Sequence, residues 1–455
     1  MVKSAQKIEG KLLSLVQVAE ELQPFEVPYN WVWAKINSIN CYKSKLINAT
    51  STHDLLYELY SVPSCENDYP EIVKGSEIGS TKQLVEKNDV LICKINPRIN
   101  RVWIVSQHTE NIQIASSEWI VFRNPLFNAD YLKWFFTSND FREFMLSNVS
   151  GVGGSLMRAQ PKYVKEYPVP IPPLAEQQRI VERIENLFEK LDHAKDLVQN
   201  SIDSFYNRKS AILYQAFTGE LTKKWREENN VNIENWGNNT VGSVCEDVKV
   251  GIVIKPSQYY TNKENGTPAF RSANVREFFI NDCNWVYISE QGQSNNKRSI
   301  VHEDDVLVVR SGNPGTACVV TKEFSGYNAI DILIAVPNPK IIDSHYLCAY
   351  TNSPVGKRLV TENKRGMALS HFNVGEYSKL TIPLPSISEQ KEIVRILNTI
   401  SDKEELANEL YDVIGKIDLM KKAILARAFR GELGTNDPIE CNSIAMLNAF
   451  ISNKV

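Results

Sequence analysis

The residue types that most often carry catalysis are scattered along this chain and do not form a recognisable site. Glu362-Asn363-Lys364 has the spacing of an E-x-K nuclease metal site, but the sequence offers it no acidic partner. Val355-Gly356-Lys357-Arg358 lacks the first glycine and the hydroxyl residue of a phosphate-binding P-loop. Asn124-Pro125-Leu126-Phe127 comes nearest to a base-amine methyltransferase motif, but lacks its second proline. The six histidines lie apart, so the sequence predicts no catalytic machinery.

Clusters of cationic and polar residues on segments rich in turn-forming residues are a second kind of candidate. Arginine and lysine can reach phosphate groups or the edge of guanine, and glycine lets backbone N–H groups approach a phosphate. Each cluster could equally be a solvated surface turn. The candidate contact residues are Lys94, Asn96, Arg98, Arg101, Gly154, Ser155, Arg158, Arg271, Asn274, Arg276, Arg310, Ser311, Asn313, Lys364, Arg365, Ser370 and His371.

The composition is typical of a multidomain protein without a general attraction for nucleic acid. The 455 residues exceed the usual size of one domain, which is roughly 100–200 residues. With 51 Lys and Arg against 54 Asp and Glu, the net charge is −3, which is not the basic balance of a typical nucleic-acid binder. Eight dispersed cysteines, with no apolar run suited to a membrane span or a secretion signal, predict reduced thiols in a cytoplasmic protein.

The chain is an internal duplication. Five blocks recur in the same order along the sequence, which chance does not readily produce. They are Asn30-Trp31 with Asn235-Trp236, Asp89–Ile92 with Asp305–Val308, Asn124-Pro125 with Asn338-Pro339, Pro170–Val181 with Pro383–Val394, and Ala216–Leu221 with Ala428–Leu433. The offsets of the last two pairs differ by a single position, and the repeated unit is close to half of the chain.

Each copy ends in a segment with the pattern of a long helix. Apolar residues recur at alternating spacings of four and three over about 174–217 and about 386–429, which places them on one helix face. Proline precedes each segment, and Gly219 and Gly431 follow the last turns, as is typical of helix starts and stops. Both stripes are incomplete, so we expect the two helices to pack against each other in antiparallel orientation. Packing in two unrelated bundles is the alternative.

The predicted fold class is α+β. It comprises two globular α/β domains in tandem, separated by two long helices packed as an antiparallel coiled coil, with an internal pseudo-two-fold repeat. Short strands are expected within the domains, together with short helices near Tyr131–Ser138 and Tyr346–Thr351. The predicted division is an N-terminal amphipathic helix (1–25), first domain (26–172), central helical spacer (173–230), second domain (231–385), distal helical spacer (386–435) and C-terminal tail (436–455).

This plan resembles the specificity subunit of type I restriction-modification systems. The resemblance is carried by Val27–Trp33 before the first domain, by the Asp-Val-Leu blocks inside both domains, by Pro172–Val181 and its echo, and by the block Phe217–Leu221 and its echo. Each motif alone is weak, but their combination and order are specific. The resemblance covers the chain from about residue 25 to about residue 435.

The resemblance implies a non-catalytic DNA reader. Each α/β domain would be a target recognition domain that binds one half of a bipartite, asymmetric sequence in double-stranded DNA. The helices would act as a ruler between the domains and would dock two modification (methyltransferase) subunits, which would carry S-adenosylmethionine. Restriction subunits would join the full complex. The chain itself would then need no cofactor, no metal and no membrane.

Charge within the two domains limits where such DNA contacts could lie. Residues 26–172 and residues 231–385 each contain fifteen Lys and Arg and fifteen Asp and Glu, so a DNA-binding face must come from local segregation of charge. Two other interpretations stay open. The chain could be an enzyme in its own right, such as a fused DNA methyltransferase or nuclease, or a coiled-coil scaffold that binds only protein.

Overall fold

The computed structural model describes residues 16–150, 157–362 and 372–452, which belong to two compact units. Unit 1 comprises Met1–Leu197 and Val413–Val455, and unit 2 comprises Val198–Asp412. Each unit therefore combines one α/β domain with a part of both long helices. Over the ranges that the structure describes, we find no helix that is both long and apolar enough to cross a membrane.

The α/β domain of unit 1 is a mixed structure of short strands and short helices. Its strands form sheets in the orders β7-β6-β9 and β2-β5-β8-β3-β4, and two further pairs, β1-β12 and β10-β11. The elements are β1 (Val32–Lys35), α1 (Ile36–Ile39), β2 (Leu46–Ile47), β3 (Leu56–Tyr60), β4 (Glu71–Lys74), β5 (Lys82–Leu84), β6 (Val90–Cys93), β7 (Val102–Ile104), β8 (Ile112–Ala115), β9 (Trp119–Phe122), α2 (Ala129–Thr137), α3 (Asn139–Ser147), β10 (Val149–Ser150), β11 (Arg158–Ala159), α4 (Pro161–Val164) and β12 (Pro168–Ile171).

Two long helices follow the two domains. The first is α5 (Leu174–Thr218), and a short helix, α6 (Lys223–Asn229), comes directly after it. The domain of unit 2 then contains β13 (Gly237–Thr240), α7 (Val241–Val244), β14 (Cys245–Val250), β15 (Tyr260–Thr261), β16 (Gly266–Phe270), β17 (Val286–Ser289), α8 (Glu290–Asn295), β18 (Val306–Val309), β19 (Ala317–Val319), β20 (Asn328–Ala329), β21 (Ile332–Pro337), α9 (Ser344–Asn352), α10 (Pro354–Glu362), α11 (Val374–Ser378) and β22 (Thr381–Leu384). The second long helix is α12 (Ile387–Phe429), and α13 (Ser443–Ser452) ends the described chain.

The duplication seen in the sequence is visible in the sheets. The order β7-β6-β9 in unit 1 corresponds to β19-β18-β21 in unit 2, where β14 adds a further strand. All four residues of β6 are buried, because Val90 and Ile92 face one apolar core and Leu91 and Cys93 face another. A strand that is buried on both faces has a continuous run of apolar residues in its sequence, and both Asp-Val-Leu blocks contain such a run.

The long helices pack in antiparallel orientation, as predicted. In unit 1, Lys195 pairs with Asp418 at 3.1 Å and Lys421 pairs with Asp192. As the residue number rises along α5, the number of the partner on α12 falls, as in an antiparallel pair. In unit 2, Leu213 near the end of α5 shares an apolar core with Ile393 near the start of α12. Gly219 follows α5 with a φ of 83°, a left-handed conformation that glycine adopts without strain.

The chain segments outside the repeats take part in unit 1. Val18 N–H donates to the Trp33 carbonyl at 3.0 Å, beside β1. The predicted N-terminal amphipathic helix (1–25) lies in part on residues 1–15, outside the described residues. In its described part, Gln17 forms a bridge to Ala34 and Glu20–Leu22 form a short 3-10 turn, so a helix does not continue through residues 17–25. In the segment expected to be a tail, α13 buries Leu447 in the core of the unit.

The eight cysteines differ in exposure. All are free; Cys93, Cys318 and Cys348 are buried, whereas Cys283 and Cys441 are exposed. Burial raises the pKa of Cys318 to about 12, and it raises the pKa of the Cys348 thiol well above its usual value. Such thiols are protonated at neutral pH and are poor nucleophiles.

Candidate nucleic-acid interface

A buried aspartate begins the central strand of each domain. Asp89 Oδ2 accepts a hydrogen bond from the Glu86 N–H at 2.9 Å, and Asp305 Oδ2 accepts one from the His302 N–H at 2.8 Å. Arg123 also donates to Asp89, whereas burial raises the pKa of Asp305. The Asp-Val-Leu repeat therefore marks a turn that starts the strand, and two of the candidate clusters, Lys94–Arg101 and Arg310–Asn313, follow the strand's other end.

The turn after β6 projects a cation from the first domain. Asn96 and Asn100 have φ angles of 47° and 51°, a left-handed conformation that asparagine tolerates better than most residues. Asn100 Nδ2 donates to the Phe136 carbonyl at 3.0 Å, which anchors the turn to α2. Arg98 and Ile99 at its tip are exposed.

A second candidate segment is held directly beside this turn. The Asn96 N–H donates to the Met157 carbonyl at 2.9 Å, and the Ala159 N–H donates to the Lys94 carbonyl at 2.8 Å. Two clusters that are distant in sequence, Lys94–Arg101 and the one that includes Arg158, are thus brought together. The predicted contacts Gly154 and Ser155 lie outside the described residues.

Most cations of this surface already have carboxylate partners. Glu118 lies 3.8 Å from Lys94 Nζ and 3.4 Å from Arg158 Nε, and Arg101 bonds to Glu66 at 2.9 Å. Arg98 differs from them, because within the described ranges it contacts no carboxylate, and its Nε donates only to Asn96 at 3.4 Å. Arg98 is therefore the cation in this turn best placed to meet an external anion.

The equivalent turn of unit 2 presents polar groups in place of a free cation. Arg310 Nη1 bonds to Asp331 at 2.8 Å and its Nε donates to the Phe372 carbonyl at 3.1 Å, so its charge is already paired. Ser311 lies against the same aspartate at 3.4 Å. Asn313 is exposed and follows Gly312. The φ of Gly312 is 86°, a conformation that residues with a Cβ rarely adopt.

Glu118 and Asp331 pair with candidate contact cations, and the sequence analysis did not single them out. Each stands directly before the third strand of its sheet and holds the cation that follows the central strand. The signal in the sequence that could have identified them is their equivalent position in the repeat, one residue before a strand. The backbone bond from Phe372 N–H to the Arg310 carbonyl, at 3.4 Å, repeats the one at Lys94. The segment leading to it carries Lys364, Arg365, Ser370 and His371, which lie outside the described residues.

The third cluster, around Asn274, shapes its own loop. Asn274 is fully buried; its Oδ1 accepts from the Arg271 N–H at 3.0 Å and its Nδ2 donates to the Cys283 carbonyl at 2.8 Å. Arg271 and Arg276 donate to nearby backbone carbonyls, those of Asn284 and Ser272. Because its polar atoms are consumed inside the loop, Asn274 does not belong to an accessible contact surface, contrary to its selection from the sequence.

Each domain is fastened to its long helix by the same tryptophan–glutamate contact. In unit 1, Trp31 Nε1 donates to Glu176 Oε2 at 2.7 Å, and Asn436 Nδ2 donates to the same oxygen at 2.8 Å. Burial raises the pKa of Glu176. In unit 2, Trp236 Nε1 donates to Glu389 Oε2 at 3.0 Å. The recurring Asn-Trp and Glu-Gln blocks thus form a joint, which we call joint 1 in unit 1 and joint 2 in unit 2.

A duplicated α/β scaffold, with a polar turn in each copy and a long helix joined to each, defines a tandem-repeat protein of two α/β domains. The model of the family described as "Type I restriction modification DNA specificity domain" matches residues 35–202 and 233–416. The chain belongs to this family.

Curated relatives and solved structures agree with this assignment. The chain is 26% identical over 278 residues to the type I restriction enzyme EcoBI specificity subunit of Escherichia coli, a match that spans 58% of each chain. It is 24% identical to the EcoKI specificity subunit of Escherichia coli strain K12, over 66% of this chain and 64% of that relative. Less than two thirds of either relative's length is therefore matched.

Two solved structures share the fold. One, from a study of complex assembly and conformational transition of the type I R-M system, has a TM-score of 0.72 at 20% identity and covers 90% of this chain and 100% of its own. The HsdS subunit from Thermoanaerobacter tengcongensis has a TM-score of 0.56 at 19% identity, over 90% of this chain and 99% of that one.

Proposed function

We propose that this chain is a non-catalytic DNA-specificity subunit whose two α/β domains each read one half of a bipartite target in double-stranded DNA. One observation carries the proposal: the two domains share an equivalent scaffold, but the turns that follow their central strands expose different residues. The turn after β6 exposes Arg98, and the turn after β18 exposes Asn313. Arginine pairs with guanine or phosphate, whereas asparagine pairs with adenine. Two such surfaces would select two different half-sites.

Ion pairs in unit 1 support a contact surface whose cationic side chains are held in place by carboxylates. Lys94 and Arg158 share Glu118, so their charge is partly cancelled and general attraction for phosphate is weak. The net charge of −3 points the same way. Affinity would then depend on contacts at the turns and on phosphate contacts supplied by partner subunits.

The test uses the full chain co-expressed with a modification subunit, and selection of duplexes from a random library. Arg98→Ala should cost about 1–3 kcal/mol of base discrimination and relax only one half-site. Asn313→Ala should relax only the other. Lys87→Ala is the matched control, because Lys87 is an exposed cation at the opposite end of β6. If Arg98→Ala and Lys87→Ala behaved alike, the turn after β6 would not be a contact surface.

The long helices are proposed to dock two modification subunits, which would carry S-adenosylmethionine and methylate adenine. Restriction subunits would join this assembly. Apolar side chains stay exposed on both helices after the two have packed: Tyr214 is 55% exposed on α5, and Leu419 is 63% exposed on α12. Exposed apolar groups on otherwise charged helices are typical of protein-binding surfaces.

Mass measurement of the co-expressed complex should give two modification chains for each copy of this chain. Leu419→Asp should lower the occupancy without changing the stability of the free chain, because Leu419 is exposed. Lys87→Asp, at an exposed position in the first domain, serves as the control. A fully active complex with one modification chain would contradict the docking proposal and leave the DNA-reading proposal to its own test.

A further inference from the structure

A pocket in unit 2 opens between helix α9 and the parts of the two long helices that belong to this unit. Its volume is about 90 Å³. The wall is mostly apolar and includes Leu213, Phe278, Ala349 and Leu397, while Lys209 and His345 stand among the polar residues that line it. Nothing in the proposed DNA contacts uses these residues.

The internal repeat fixes which residues of unit 1 correspond to this wall. Helices α2 and α9 begin at equivalent caps, Asn128 and Asp343. In both helices the tyrosine that follows the cap, Tyr131 or Tyr346, donates its hydroxyl hydrogen to a proline carbonyl. With the two tyrosines aligned, Ala349 of unit 2 occupies the position that Trp134 has in unit 1.

In unit 1 this position is filled by aromatic rings under a lysine. The ring of Trp134 meets that of Phe188 edge to face, with centroids 5.1 Å apart and planes at 73°. Lys421 Nζ lies 4.9 Å from the Phe188 centroid. The scaffold of unit 1 thus accommodates an indole beside a phenyl ring that a lysine covers.

Unit 2 keeps the lysine and the apolar wall but has no tryptophan at this position. Lys209 corresponds to Lys421 when the repeated Ala-Phe-x-Gly-Glu-Leu blocks at the helix ends are aligned. Its Nζ lies 4.9 Å from the Phe278 centroid. Alanine at 349 replaces the indole of Trp134, and the repeat has Ser401 in the register of Phe188. The pocket is where the first copy places its own aromatic side chain.

We propose that the pocket of unit 2 is a binding site for one uncharged aromatic ring, which takes the place that Trp134 fills in unit 1. An apolar cavity of about 150 Å³ binds benzene. The pocket of unit 2 is smaller, about 90 Å³, so it would hold one ring with an edge toward its open side. Lys209, whose ammonium group also lies over the Phe278 ring, lines the pocket, and an ammonium group favours a ring with an electron-rich face, of which indole is the best. A saturated ring of similar size lacks that face and binds more weakly.

The primary test is binding of indole to the purified full chain, measured by ligand-observed NMR and by the shift in unfolding midpoint. Indole should bind and raise the midpoint, and cyclohexanol should bind at least several-fold more weakly. No binding of indole at millimolar concentration, or equal binding of both compounds, would overturn the proposal.

Two substitutions locate the site. Ala349→Trp fills the pocket from within and should weaken indole binding at least tenfold, with Ala349→Phe as the smaller replacement if the first does not fold. Trp134→Ala should create the corresponding pocket in unit 1 and raise the stoichiometry from one indole to two. Unchanged binding in the folded Ala349 variants would place the site elsewhere and overturn the proposal.

The ring could come from a free compound or from the side chain of a partner protein, and a further measurement separates them. This measurement alone rests on the proposed function. Indole is added to the complex with modification subunits: binding that is lost there identifies a partner side chain, and binding that is retained identifies a free compound. If no complex forms, the docking proposal fails, while binding to the free chain still decides for or against the pocket.

Discussion

Joint 1 and joint 2 both hold a tryptophan indole against a buried glutamate, yet they satisfy the glutamate by different means. At joint 2, Arg226 Nη1 bonds to Glu389 at 2.7 Å, and Thr222 donates to the same carboxylate. At joint 1 the donors closest to Glu176 are the neutral groups of Trp31 and Asn436. The nearby Arg179 is engaged by Glu440 in a two-point contact at 2.7 and 2.8 Å.

The difference shows how duplicated scaffolds diverge without losing their geometry. The glutamate and the tryptophan keep their places, whereas the compensating charge is free to move to other residues. A buried carboxylate with an arginine partner depends on that partner for its charge. Burial raises the pKa of Glu176, and the neutral hydrogen bonds from Trp31 and Asn436, which lower it, offset this only in part.

The largest expected effect is at joint 2. Glu389→Gln leaves Arg226, whose side chain is only 8% exposed, without its counter-charge. Loss of one partner of a buried ion pair costs about 3–5 kcal/mol. Urea unfolding of the full chain should show this loss in unit 2, whereas Glu176→Gln in unit 1 should change stability by about 1 kcal/mol or less, since glutamine still accepts from Trp31.

Removing both charges sharpens this comparison. The double variant Arg226→Met with Glu389→Gln should regain most of the lost stability, because neutral residues of similar volume can replace a buried pair. Equal losses for Glu389→Gln and Glu176→Gln would show that the arginine does not distinguish the joints.

Substitution of the tryptophan should cost more stability at joint 1 than at joint 2, which is the opposite of the order expected for the glutamates. Trp31→Phe removes a donor from a carboxylate that is held only by neutral groups, and should cost about 1–3 kcal/mol. Trp236→Phe leaves Glu389 with Arg226 and should cost less. The unfolding free energies of the two variants, compared under the same conditions, test this order; a larger loss for Trp236→Phe would contradict it.

The smallest effect is a pH dependence specific to joint 1. The pKa of Glu176 is raised in the folded chain above the unfolded value of about 4.3. The folded state therefore holds the proton more tightly, so the contribution of Glu176 is fully present below pH of about 4.3 and declines as pH rises through the folded pKa. The stability of the wild type minus that of Glu176→Gln should fall over this window. A rise would contradict the assignment.

The sequence predicts the elements that have a period or a recurring block. The long helices are confirmed at Leu174–Thr218 and Ile387–Phe429, because their apolar spacing and flanking proline and glycine residues are local signals. The duplication likewise follows from residues that can be compared directly. The candidate contact residues stay predictions, apart from Asn274, whose burial removes it from the accessible surface.

Long-range pairing could not be predicted in the same way. Arg226 precedes the strands of the second domain and Glu389 follows them, and no spacing rule links two residues so far apart in the chain. The burial of Asn274 depends on the carbonyls of Asn281 and Cys283, which turn inward only once the loop has formed. The pocket beside Ala349 depends on the packing of α9 against both long helices, which are far apart in the chain, so no local pattern marks it.

If each α/β domain reads its own half-site, exchange of one domain should change only one half of the target. Residues 26–172 are replaced by the corresponding domain of another family member, and the chain is co-expressed with its modification subunits. Methylated adenines are then mapped across genomic DNA. One half of the target should change while the other half is kept. A change in both halves, or in neither, would contradict this expectation.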